Sequence, residues 1–121
     1  MEKRKENEAY IILKKQWDEL YKLGENVSFF FRKRGIRSVI IYGSGSLAER
    51  LTCDLKELDI KVNYLQMSKQ ISEISFAIDI VVVLDIEHYI EIEYEICKKN
   101  LIEVISIQEL IDKTLRNIKR K

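Results

Sequence analysis

Val39–Leu51 reads VIIYGSGSLAERL: a β-branched apolar run breaks at two glycines and resumes with a different periodicity. A short continuous apolar run is what a strand buried on both faces requires. After the glycines, Leu47, Leu51, Leu55 and Leu58 recur at intervals of four, four and three, the spacing of a helix packed along one face. The stretch therefore predicts strand, tight turn and helix, with Gly43-Ser44-Gly45 at the corner.

Downstream, the same alternation continues. IKVNYL (Ile60–Leu65), IDIVVVL (Ile78–Leu84) and LIEVI (Leu101–Ile105) read as further strands, and Arg37–Tyr42 as the first. IDIVVVL is the most apolar and is expected at the centre of the sheet. Tyr89–Ile96 (YIEIEYEI) alternates apolar and acidic residues, which by itself favours a strand. Parallel neighbours, however, need a crossover of about a dozen residues, usually helical, so a helix is predicted there. Its inward face is expected to carry Ile86, Tyr89, Ile90, Tyr94, Ile96 and Cys97, with Ile92 outside it. The last helix opens with Ser106-x-x-Glu109, a capping-box pattern, and shows Ile107, Leu110, Ile111 and Ile118 on one face.

Upstream, Gly24 and Gly35 are helix-stop signals. Tyr10, Leu13, Trp17, Leu20 and Tyr21 form one helical stripe, and residues 25–34 read as a short second helix with Val27, Phe30 and Phe31 inward. The predicted fold class is α/β: a small, truncated Rossmann-like parallel sheet of about four strands with flanking helices and an N-terminal helical arm. Residues 1–35 form the arm and 36–121 the Rossmann-like part of the same domain. Right-handed crossovers place the strand at Val39 centrally.

Composition bounds the function classes. With 121 residues the chain is one domain by length, and 46% hydrophobic with 34% charged residues is globular usage. Lys and Arg number 21 against 20 Asp and Glu, a net charge of +1 that gives no support to nucleic-acid binding. No apolar run approaches the roughly 20 residues needed to span a bilayer. The charged start MEKRKENEAY has no apolar signal region, so no membrane insertion and a cytoplasmic location are expected. Cys53 and Cys97, far apart in apolar surroundings, are expected to be buried free thiols.

Gly43-Ser44-Gly45-Ser46-Leu47-Ala48 matches G-x-G-x-x-G/A in the strand-to-helix context that the motif requires. The first glycine permits the turn, the second lets backbone approach a pyrophosphate, and the small Ala48 allows close helix–strand packing. Unpaired N–H groups at the helix start, backed by its dipole, favour an anion. The candidate nucleotide site is therefore Gly43, Ser44, Gly45, Ser46 and Leu47, with Gln66 and Asp85 flanking the base or sugar. Asp85 stands at the carboxyl end of a strand, where ligands of such sheets bind, although it also suits the N-cap of the next helix.

Two features weigh against a standard NAD(P) site. The acidic residue that holds the ribose hydroxyls about 20 positions on is missing: no Asp or Glu lies between Ile60 and Ile71, where Gln66 and Met67 stand. Ser46-Leu47-Ala48-Glu49 is also a capping box, which would consume the N–H groups a phosphate needs. Only one brief crossover, around SKQISEISF, fits between Leu65 and Ile78, so one mononucleotide half and a remnant are expected. The cofactor is left as NAD(P), a sugar nucleotide or none.

Phe30–Lys56, FFRKRGIRSVIIYGSGSLAERLTCDLK, resembles the pattern YFxKRGxxxIxIYGxGxLxERLxxxLK of a family of small Rossmann-like domains. These accompany bacterial polysaccharide biosynthesis, as parts of glycosyltransferases or sugar-nucleotide enzymes or as free-standing proteins. Cys97–Ile111, CKKNLIEVISIQELI, resembles the family's last strand and helix, so the likeness covers roughly Leu20–Ile111. The resemblance implies a nucleotide or sugar-nucleotide setting carried by Gly43 through Ala48. It also implies an acidic residue after the second strand and a third strand, from which this chain departs.

Three functions compete on these residues. The leading one is an accessory nucleotide-binding module without catalysis of its own. The second is an interaction module with a vestigial turn, its Tyr10/Trp17/Tyr21 stripe packed on a second copy or on a glycan-biosynthesis enzyme. The third, a sugar-nucleotide oxidoreductase or lyase, lacks evident acid–base residues. Tyr10 and Lys14 carry the Y-x-x-x-K spacing of short-chain dehydrogenases but precede the glycine turn, so coincidence is expected. His88, the only histidine, and the Glu87, Glu91, Glu93 and Glu95 series are expected on the surface.

Overall fold

The computed structural model describes residues 8–65, 77–98 and 102–119. Its strands are β1 (Ser38–Tyr42), β2 (Lys61–Leu65), β3 (Ile80–Val83) and β4 (Glu103–Ser106). They form one all-parallel sheet in the order β2-β1-β3-β4. The helices are α1 (Glu8–Lys22), α2 (Ser28–Arg34), α3 (Ser46–Leu55), α4 (Tyr89–Cys97) and α5 (Ile107–Lys119). The expected α/β class, four-stranded sheet and central first strand are all present. The SKQISEISF crossover and Gln66 lie outside the described residues.

The two inner strands are buried because they are β-branched on both faces. Val39, Ile41, Ile80, Val82 and Ile105 point to the side covered by α1, α2, α3 and α5. Ile40, Val81 and Val83 point to the other side, against Ile96 and the partly buried Tyr89 and Ile92 of α4. This alternation is the period-two geometry of a strand. At the foot of the sheet the Asp79 carboxylate accepts the Arg37 and Ser38 N–H groups at 2.7 and 3.2 Å, tying β1 to the entry of β3.

α4 is helical as topology required, but its buried face differs from the expected one. Tyr89, Ile92 and Ile96 pack inward, three and four residues apart, whereas Ile90 is 77% and Tyr94 65% exposed. Strict alternation gives a helix two competing apolar stripes. The one with the wholly buried Ile96 is the one docked, and it brings the Tyr89 hydroxyl to donate to the Val104 carbonyl at 3.0 Å. Burial, followed by the charge of Glu93, pushes the Tyr89 phenol up to about 12.

The N-terminal helices are integral to the core. Leu13, Trp17 and Leu20 are completely buried, as are Val27 and Phe31. Each such side chain contributes about 2 kcal/mol of transfer free energy. The Trp17 indole donates to Asp54 at 2.8 Å and the Tyr21 hydroxyl donates to the same carboxylate at 2.7 Å. The Val27 N–H supplies its third hydrogen bond. Asp54 is thus a buried carboxylate with a full set of donors, as a group removed from water must have. Of the Tyr10/Trp17/Tyr21 stripe, Trp17 is wholly buried, Tyr10 is half-buried and Tyr21 is exposed, and Ile11 and Ile12 of α1 are exposed as well.

Cys53 and Cys97 are both exposed free thiols, not buried ones. Cys53 lies outside the Leu51/Leu55 stripe of α3, and Cys97 ends α4 one residue past its inward face. No described helix is long and apolar enough to cross a membrane.

Candidate functional site

β1 turns into α3 through two glycines with different reasons to be glycine. Gly43 (φ +136°) continues the ladder, its N–H donating to the Leu65 carbonyl at 2.9 Å, while a Cβ here would stand 3.0 Å from that of Leu84. Gly43 is required by packing as well as by conformation. Gly45 (φ +93°, ψ −160°) lies in a backbone region essentially reserved for glycine, and nothing stands within 4 Å of its Cβ position. The corner is closed beneath Gly43 and open above Gly45.

The expected Ser46/Glu49 capping box does not form. Gly45 is the N-cap and has no side chain to offer, so α3 begins at Ser46 itself and Glu49 donates its backbone N–H to the Gly45 carbonyl at 3.1 Å. The strained Gly45 conformation moves the helix start one residue ahead of the position from which the Ser46 hydroxyl could cap. The first N–H groups of α3 precede the helical ladder, and Ser44, Gly45 and Ser46 are exposed beside them. By contrast, the Ser106 hydroxyl does accept the Glu109 N–H at 3.0 Å.

β1 and β3 are neighbours whose connections leave in opposite directions, which makes the carboxyl end of this pair the switch point of the sheet. A crevice of about 470 Å³ opens there, lined by Tyr10, Ile11, Lys14, Gly43, Ser44, Ser46, Leu47, Leu84 and Asp85. That volume is within the range of small-molecule sites. Of the expected site residues, Gly43, Ser44, Ser46, Leu47 and Asp85 meet on its wall, and Gly45 stands at the turn between them.

The far wall is α1, which sequence reasoning did not place. Tyr10 and Lys14, one helical turn apart, both face the crevice. The Tyr10 hydroxyl donates to the Leu84 carbonyl at 3.3 Å and accepts the Ile86 N–H at 3.0 Å. The Y-x-x-x-K spacing thus places a strut, Tyr10, and a cation, Lys14, on the crevice wall. Lys14 has no ion pair among the described residues and brings a positive charge to the wall opposite the glycine turn.

Asp85 stands in the turn before α4, whose N-cap is His88 and not Asp85. It lines the crevice, and its carboxylate accepts the His88 backbone N–H at 3.1 Å, capping the turn into α4. The same carboxylate lies 3.0 Å from His88 Nδ1, and this contact raises the imidazole pKa above its ordinary 6.5. Glu91 and Glu87 add to the shift. A second groove, lined by Ala48, Glu49, Thr52, Cys53, Lys56 and Tyr64, lies along α3 and the sheet edge and is mainly apolar. Among the described residues, no group of three His, Cys, Asp or Glu side chains is arranged to hold a metal ion.

Comparison with known proteins leaves the chain on its own geometry: no family model, curated protein or solved structure matches it.

Proposed function

We propose that this chain is an accessory or regulatory module that binds a nucleotide or sugar nucleotide, in the cytoplasm of a bacterium, in support of surface-polysaccharide synthesis. One observation carries the binding half of this reading. The glycine turn opens, with an uncapped helix start, into the switch-point crevice that also receives Lys14. Backbone N–H groups, helix dipole and a cation converge where such sheets hold phosphate. The glycan setting is supported by the resemblance carried by Phe30–Lys56. A role without catalysis is supported by the engagement of the Tyr10 hydroxyl and of the Asp85 carboxylate in the protein's own hydrogen bonds.

Calorimetric titration with UMP, ATP, NAD, NADP and UDP-glucose tests the binding, with mass spectrometry of whatever co-purifies with the native protein. Heat from at least one of them supports it; folded protein that binds none refutes it.

A further inference from the structure

The outer edge of β2 is complementary to itself, and we infer that two copies of this chain join there, β2 antiparallel to β2, about a two-fold axis through Asn63. β2 ends the sheet, with β1 on its inner side. The Lys61 N–H donates to the Arg37 carbonyl and the Leu65 carbonyl accepts the Gly43 N–H, both at 2.9 Å. In a parallel ladder, alternate residues turn both backbone groups to the same neighbour. Lys61, Asn63 and Leu65 therefore face β1. The N–H and C=O groups of Val62 and Tyr64 point outward, with no pairing strand among the described residues.

Pairing centred on Asn63 sets Val62 of each copy opposite Tyr64 of the other, and these residues exchange both backbone hydrogen bonds. Asn63 then meets Asn63 at a non-hydrogen-bonded position, where side chains come closest and Cα atoms lie about 4.5 Å apart. Among the described residues, the Asn63 side-chain nitrogen is the one buried side-chain N or O without a hydrogen-bond partner. The amide oxygen of the second copy supplies its acceptor. Edge strands are ordinarily kept apart by charges, proline or a bulge. Val62–Tyr64 carries none of these, in an unbroken register. The exposed Lys61 stands at the end of the pairing, where its stem lies along Leu65 of the second copy.

The groove beside this edge favours the same occupant. Val62 packs on the core beneath α3, and the Tyr64 hydroxyl lies 2.7 Å from Thr52 Oγ1 of α3. Tyr64 is nevertheless 52% exposed, on a mainly apolar groove of about 460 Å³. A Val–Tyr pair directly opposite across two strands is stabilising, and here it covers that groove with a ring from the second copy. The charged residues of the groove, Glu49 and Lys56, stand two helical turns apart with no ion pair among the described residues. A two-fold axis reverses α3 against its copy, so Glu49 of each faces Lys56 of the other. This charge complementarity of the surface with itself selects a second copy over an unrelated strand, and it sets register more than affinity.

The test is sedimentation equilibrium of the full chain over a concentration series, on wild type and on variants whose folding is checked by circular dichroism. Wild type is expected to exchange between monomer and dimer. Tyr64→Glu is expected to weaken the dimer about tenfold or more by removing the paired ring and placing charge on the edge. Glu49→Lys is expected to weaken it about threefold or more, and adding Lys56→Glu to restore it. With Cys53→Ser and Cys97→Ser in place, Asn63→Cys is expected to form an intermolecular disulfide, because about 4.5 Å between Cα atoms is within reach of that bond. Wild type that stays monomeric at every concentration overturns the inference. A dimer unchanged by Tyr64→Glu, or no disulfide from folded Asn63→Cys, overturns β2 as its seam. Should Tyr64→Glu fail to fold, the charge exchange decides: Glu49→Lys without effect, or not relieved by Lys56→Glu, overturns the two-fold register. Nucleotide binding at the crevice stands or falls separately.

Discussion

The Trp17 indole N–H donates to the Asp54 carboxylate at 2.8 Å, and neither side chain has an appreciable exposed surface. This bond joins α1 to the helix whose first turn forms the candidate phosphate site. It sets the spacing between the wall that carries Lys14 and the turn that carries Gly45.

Asp54→Ala is expected to be among the most damaging single changes in the chain. It leaves the Trp17 indole, the Tyr21 hydroxyl and the Val27 N–H without their acceptor. With about 1–3 kcal/mol for each buried donor left unsatisfied, and partial rescue by water, the loss should be about 3 kcal/mol or more. Urea unfolding measures it. A loss below about 1 kcal/mol would mean that Asp54 does not anchor α1.

Gly43→Ala and Gly45→Ala separate packing from conformation. Both place a side chain at positive φ, costing about 1–3 kcal/mol, but only at Gly43 does the new Cβ also meet Leu84 at 3.0–3.2 Å. Gly43→Ala should therefore lower the urea midpoint further than Gly45→Ala. The reverse order would place the close contact elsewhere.

The Arg34–Glu103 pair gives an acid-side dependence of stability. Two guanidinium N–H groups donate to the two carboxylate oxygens at 3.0 and 2.7 Å, and Arg34 holds the Glu103 pKa below its ordinary 4.5. A carboxyl whose folded pKa is depressed stabilises the fold above its unfolded value and loses that contribution as pH falls through the folded one. Both partners are substantially exposed, so the contribution is small. Urea midpoints measured from pH 6 downward should fall more steeply below about pH 4.5 in wild type than in Arg34→Gln. Parallel curves would show that the ion pair contributes nothing.

His88 is the only histidine, so its ring resonance is unambiguous. Its NMR titration midpoint should lie above 6.5 and fall on Asp85→Asn, because Asp85 is the main cause of the shift. Bound UMP, adding negative charge near Asp85, should raise the midpoint further. Affinity should then be favoured by the protonated ring and weaken as pH rises through its pKa, relative to His88→Gln.

Much of the scaffold was legible because it rests on local pattern and on the rules of parallel sheets. Arg37–Tyr42 and Ile78–Leu84 read as strands from their β-branched runs, and Leu51 and Leu55 as the packed face of the helix between the strands. What escaped was decided by where one element lies on another. YIEIEYEI offers two helical faces, and only the docking of Ile96 selects between them. Ser46 misses the cap because Gly45 sets the helix start, a backbone matter of one residue. Tyr10 and Lys14 were visible as neighbours on one helical face. Their arrival beside residues 43–47 follows from the packing of α1, for which the local spacing holds no signal.

The hydrogen bonds from Tyr10 to Leu84 and Ile86 join positions 74 and 76 residues apart in the chain. Loop closure on that scale is an entropic debt settled only when both inner strands and α1 are in place. The crevice is therefore a product of the completed fold, and no autonomous strand–turn–helix fragment contains it. In hydrogen exchange, the Ile86 amide should accordingly report opening of the whole α1 wall and not fraying of its own loop. Any graft of the glycine turn alone would carry the corner without the wall that completes the crevice.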